Sequence, residues 1–396
     1  MSRQENSRRA SLSFEVLISR FLCAVFAASF LLWAFVPQAV AQSTWTHKGV
    51  RARYGHSAVF DSATGKLIIF GGQHTITFGN MNDTFWGTII AGSGELIWTP
   101  ITTTGAKPSS RFGHTAIYDS TNLRMVVFGG GLGSSTPAPC ENDLWVLQNA
   151  NGVGGNPSWK VQATSGISPL PRFGHTAVYD SAGNNMIVFG GYDCTSTYLN
   201  DVWVLSNANG LGGMPAWTQL VTTGAPPSGR EAATAVYDQT NNLMIIYGGD
   251  SGSGVDGDIW VLSNANGAGG TPTWTQLFPT GTAPVSRSGH SAIYDPVNNV
   301  MALYAGQTSP AVPVTTGSVA GLLNDFWVLT NANGLEGSPA WTQLTPQPSG
   351  MLRSFHSAAY DASNNTMLIF GGKTNVGQLP SDDHITIITD ANGMQP

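Results

Sequence analysis

From Arg53 onward the apolar residues fall in short runs of five to eight, rich in β-branched and aromatic side chains and separated by Gly, Asn or Pro. Runs of that length and composition, cut by turn formers, predict β-strands. They come in fours. The first opens on Arg-x-Gly-His and ends on an aromatic residue and Asp, as in Tyr118-Asp119 and Tyr179-Asp180. An Asn-rich turn leads to an apolar run closed by a Gly pair, at 125–130 and 186–191. After a variable loop comes Asn-Asp-x-Trp-Val-Leu, at 142–147, 200–205 and 324–329. An Asn-Ala-Asn-Gly turn and a Trp-Thr strand complete the set, as at Trp217-Thr218, Trp274-Thr275 and Trp341-Thr342.

The opening phrase recurs at Arg53, Arg111, Arg172 and Arg287, with degenerate copies at Arg230 and Arg353, at spacings of 58, 61, 58, 57 and 66 residues. A period of that size marks a repeat architecture, and four antiparallel strands per unit make one propeller blade. The Gly pair after an apolar strand, with an aromatic and then a Trp downstream, resembles the kelch repeat, and the likeness covers residues 43–390. The expected fold is all-β: a six-bladed kelch-type β-propeller occupying residues 42–396. Its blades span about 53–99, 111–160, 172–218, 230–275, 287–342 and 353–390. Trp should fill the widening gap between blades, and Gly should permit a turn that a Cβ would block. The sixth unit stops before any Trp-Thr strand, while Trp45-Thr46 stands alone at the other end. Residues 43–48 are therefore expected to pair with the last blade and remove an open edge.

The first 41 residues differ from the rest. Arg3, Arg8, Arg9 and Arg20 precede an apolar run over 21–36, and Ala39-Val40-Ala41 matches a small-x-small cleavage site. This pattern reads as a secretory signal peptide, 1–41, and places the mature protein in the periplasm or outside the cell, with no membrane span after cleavage. Net charge is −6, and removal of the signal leaves 13 basic and 21 acidic residues. With no basic stripe, nucleic acid is excluded as a partner.

Cys23 leaves with the signal. Cys140 and Cys194 lie in corresponding loops of consecutive units and are expected to form a disulfide in an oxidising compartment. The repeat also places Arg53, Arg111, Arg172, Arg230, Arg287 and Arg353 around one channel mouth. They suit an anionic ligand unless Asp83, Asp143, Asp201, Asp258 and Asp325 neutralise them within the scaffold. His56, His114, His175, His290 and His356 share one repeat position and read as hydrogen-bonded structural groups. Departures from the repeat are more informative. Blade four replaces Gly-His with Ala232-Ala233 and places Glu231 directly after Arg230, so Glu231 and Arg230 are the candidates for acid-base chemistry. His47, His74 and His384, with Asp382 and Asp383, are the candidates for a metal site. The long loop 307–323, with Phe78 and Tyr192 in equivalent loops, could wall a pocket.

These features favour an exported, monomeric binding module that needs no cofactor and holds a glycan or protein ligand on its loop face. The alternative is a sugar-modifying enzyme that resembles the kelch-type sialic acid epimerases, with Glu231 and the Arg ring at the channel mouth. A resemblance to galactose oxidase would imply a copper site, but no Tyr is followed by His in this chain. The plant specifier proteins are also kelch-like, and their Glu-x-x-x-Asp-x-x-x-His set is absent.

Overall fold

The structure, a computed structural model, describes residues 49–74, 79–89, 96–133, 139–308, 321–345, 351–374 and 385–394. All lie in one compact unit, Lys48–Pro396. The signal segment, the proposed closing strand 43–48, Trp45, His47, Phe78, Asp382, Asp383, His384 and most of the loop 307–323 lie outside the described residues.

The described residues contain only strands, in six antiparallel sheets that follow chain order. Five sheets have four strands and the sixth has three. Blade three shows the plan: Thr176–Asp180 lies innermost, followed by Asn185–Tyr192, Tyr198–Ser206 and the outermost Ala216–Gln219. The second strand is buried on both faces because each blade is sandwiched between two others, so it reads as an unbroken apolar run. The outermost strand buries little more than its Trp.

That Trp crosses to the preceding blade. Trp98, Trp159, Trp217, Trp274 and Trp341 pack on Phe370, Phe70, Phe128, Phe189 and Tyr247, with ring centroids 4.5–5.4 Å apart. Six hydrophobic clusters result, each shared by two blades. The cluster between blades five and six has no such Trp among the described residues. The seam between blades six and one is packed like the others, with Val50, Leu67, Ile69 and Trp98 against Ala359 and Phe370.

The repeated polar residues join blades to one another. The last Asn of each Asn-Ala-Asn-Gly turn reaches the Asp that ends the first strand of the preceding blade. Asn151, Asn209, Asn266 and Asn333 thus donate to Asp61, Asp119, Asp180 and Asp238, and Asn392 in the equivalent sixth turn donates to Asp295. The Gly pair has two tasks. Gly190 and Gly191 adopt φ of 65° and 97° at a register shift, and a Cβ on Gly190 would come within 2.8 Å of the Arg230 carbonyl. This close approach lets the Gly191 N–H donate to Arg230 O at 2.8 Å. The same bond recurs in all six blades and crosses the seam as Gly372 N–H to Arg53 O.

Candidate functional site

The Arg-x-Gly-His phrase surrounds the central channel, and three of its four residues are committed to the scaffold. Each Arg is at most 1% exposed. Arg53, Arg111, Arg172, Arg230 and Arg287 bind Asp83, Asp143, Asp201, Asp258 and Asp325 through two nitrogens each, and also donate to a main-chain carbonyl of the same blade. Arg353 donates to Gly371 O and Thr386 Oγ1. Burial pushes the Asp325 carboxyl up, but hydrogen bonds and charge from Arg287 outweigh it and hold the group below the usual carboxylate range. The Arg residues expected to ring the channel mouth as an anion site therefore point into their own blades. Arg230, a candidate for chemistry, is occupied in the same way, with Asp256 also 3.5 Å away.

The Gly position forms a closed circuit. The N–H of Gly55, Gly113, Gly174, Ala232, Gly289 and Phe355 each donates to the equivalent carbonyl of the preceding blade, at 2.6–2.9 Å, and Gly55 to Phe355 closes the loop. All six have φ of 53–64°. That left-handed conformation suits Gly, but Ala232 and Phe355 adopt it at a cost of roughly 1–2 kcal/mol each. The His position adds a further tie. Nε2 of His114, His175, His290, His356 and His56 meets a Ser or Thr hydroxyl of the preceding blade at 2.6–2.9 Å. Burial, then the nearby Arg charge, lowers His114 to about 3 and the other four well below the usual range. They are neutral structural imidazoles.

Only the x residue is left free to vary. Tyr54, Phe112, Phe173, Glu231, Ser288 and Ser354 each form an antiparallel bridge with the residue after the Gly pair: Gln73, Gly131, Tyr192, Asp250, Gln307 and Lys373. Of these twelve residues, Tyr54, Phe112, Phe173, Glu231 and Lys373 line a cavity of about 240 Å³ on the face where the long loops emerge. Blades two and three supply an aromatic run. Phe112, Phe173, Tyr192 and Tyr198 follow one another with centroids 5.2, 5.7 and 5.0 Å apart. All four are half-buried. The Cys140–Cys194 disulfide, with Cα atoms 6.0 Å apart, ties the loops beside this run.

Blades four and six supply charge. Burial, then the negative charge of Asp250, raises Glu231 to about 8, opposed by Lys373. Burial lowers Lys373 to about 8, opposed by Glu231. The Lys373 ammonium lies over the rings of Tyr54 at 4.4 Å and Phe355 at 4.6 Å. The Tyr54 hydroxyl donates to Gln73 Oε1. Glu231 was visible in the sequence because it interrupts the repeat, and it does line the cavity. Lys373 and most of the aromatic run were missed, although they occupy the variable positions that flank or sit inside otherwise repeated motifs. Of the three candidate metal ligands only His74 is described, and the described residues hold no cluster of three metal-ligating side chains.

Residues 32–153 and 133–270 match the KLHDC2/KLHL20/DRC7 Kelch-repeats domain. Human host cell factor 1 is 29% identical over 278 residues, which are 66% of this chain and 12% of that protein. Human host cell factor 2 is 30% identical over 292 residues, 71% of this chain and 33% of that protein. An F-box/kelch-repeat protein of Arabidopsis thaliana is 27% identical over 340 residues, 81% of this chain and 66% of that one. The chain therefore spans only a small part of the host cell factors it resembles.

Proposed function

Because the chain belongs to the KLHDC2/KLHL20/DRC7 Kelch-repeats domain family, we propose that it is a binding propeller that grips a protein partner on its loop face. One observation carries this reading: the repeat's Arg, His and Asn groups are used up within the scaffold, whereas the aromatic run from Phe112 to Tyr198 remains half-buried on a stapled face. Aromatic side chains offer large contact areas at low entropic cost, and they dominate binding hot spots. Export to an oxidising compartment is part of the proposal and is supported by the Cys140–Cys194 bond. In the test, the extracellular fraction of the source cells is passed over the wild-type chain and a Tyr192→Ser/Tyr198→Ser variant of equal thermal stability. A partner retained by the wild type and lost from the variant supports the proposal. Retention that is the same on both rules out this face.

One observation favours a second reading. An acid raised to about 8 inside a cavity is poised for proton transfer near neutral pH, which suits a sugar-modifying enzyme with Glu231 as its acid or base. Turnover of acidic sugars that disappears in Glu231→Gln would favour it. Equal turnover in wild type and variant would eliminate it.

A further inference from the structure

Two ionisable groups in the central cavity, one acidic and one basic, have no hydrogen-bonded partner for their charge among the described residues. The Glu231 carboxylate accepts no hydrogen bond and joins no ion pair among the described residues. It lies over Gly174, where an added Cβ would be 2.9 Å from Oε2. The Lys373 ammonium touches only the faces of Tyr54 and Phe355 and has no anionic partner among the described residues. Each feels the other's charge, yet no salt bridge joins them. They belong to blades four and six, with blade five between, and so lie on different sides of the channel.

Both blades also break the Gly rule of the inner circuit. Ala232 follows Glu231, and Phe355, whose ring lies against Lys373, takes the matching place in blade six. The two departures from the repeat thus coincide with the two unpaired charges. The neutral His groups behind them do not compete for a charged ligand.

Electrostatics then selects the ligand class. A simple cation would be drawn to Glu231 and repelled by Lys373, and a simple anion would meet the reverse. A molecule with both charges at opposite ends satisfies both groups, and the aromatic walls accept an apolar spacer between them. We propose that the central cavity binds a small zwitterion, with its ammonium on Glu231, its carboxylate on Lys373 and its body against the rings of Phe173 and Phe355. This site shares Phe173 with the aromatic run assigned to a protein partner, but Glu231 and Lys373 are not part of that run and Tyr192 and Tyr198 do not line the cavity, so either assignment can fail alone.

The test is calorimetric titration of the full chain with glycine, 4-aminobutyrate and 6-aminohexanoate, using butylamine and butyrate as single-charge controls. One spacer length should bind more tightly than both controls by about tenfold or more, the scale of a charge-assisted hydrogen bond. Glu231→Gln should reduce that ligand to the affinity of butyrate, and Lys373→Met to that of butylamine. Thermal melts establish that both variants fold. The proposal is overturned if a single-charge control binds as well as every zwitterion, if no zwitterion binds, or if the affinity survives both substitutions.

Discussion

Ala232 shows how much a single position in the ring can cost. Its φ of 53° is needed for its N–H to reach Gly174 O, and four of the other five blades supply Gly there. Ala232→Gly should therefore stabilise the protein by about 1 kcal/mol, the left-handed penalty less the entropy cost of Gly, read as a higher urea midpoint. An unchanged midpoint would mean the ring relaxes around Ala. Glu231 and Lys373 make a pH prediction. The acid stands at about 8 in the fold against an ordinary 4.5, so the folded state holds its proton longer. Its contribution to stability is full below pH 4.5 and is lost as pH rises to 8. The amine stands at about 8 against 10.5, so its penalty applies below pH 8 and is relieved as pH rises to 10.5. In melts from pH 5 to 10, subtracting Glu231→Gln from wild type should leave a fall on the acid side of 8, and subtracting Lys373→Met a rise on the alkaline side. Flat difference curves would mean that neither group is shifted. At this scale the sequence was legible where a residue broke a pattern, as Glu231 does. It was silent where variation is the pattern, as at Phe112, Phe173 and Lys373, because no periodicity says which variable residues converge.

At the level of strands and loops, most of the architecture could be read directly. Buried strands need continuous apolar runs, and turns with positive φ need Gly or Asn, so the chain's physical constraints are visible in its spelling. The four Asn-Ala-Asn-Gly turns and their sixth-blade equivalent were read as turns alone, yet the last Asn of each ties neighbouring blades across 86 to 97 residues. Spacing along the chain gives no hint of that reach. The Arg residues expected around the channel mouth turn their side chains inward. An Arg in a strand-entry turn finds the Asp of its own blade before it finds solvent. The disulfide is a loop-level device with a measurable consequence. It encloses 54 residues, so replacing Cys140 and Cys194 by Ser should cost about 4 kcal/mol on the chain-entropy account. A denaturant titration of the double variant against the oxidised wild type measures this. A difference below about 1 kcal/mol would mean that the blade interface alone holds the two loops together.

The unit Lys48–Pro396 is, over its described residues, a ring whose seam resembles its other joints. Between blades six and one run the bonds Gly372 to Arg53, Gly55 to Phe355 and Ser357 to His56, each matching a bond inside the chain. Trp98 on Phe370 likewise matches Trp217 on Phe128. A linear array of repeats would have weak ends from which unfolding could spread. A ring closed at every interface has none and should unfold in one step. Phe370→Ala removes an aromatic that is 2% exposed at the seam, and Phe128→Ala removes its counterpart, 0% exposed, in the middle of the sequence. If the seam is a full joint, both should cost about 3–5 kcal/mol, the usual penalty for emptying a buried aromatic site, and both should keep a single unfolding transition. A much smaller loss for Phe370→Ala, or a second transition appearing only in that variant, would show that the described contacts between blades six and one are a weaker joint than the other five.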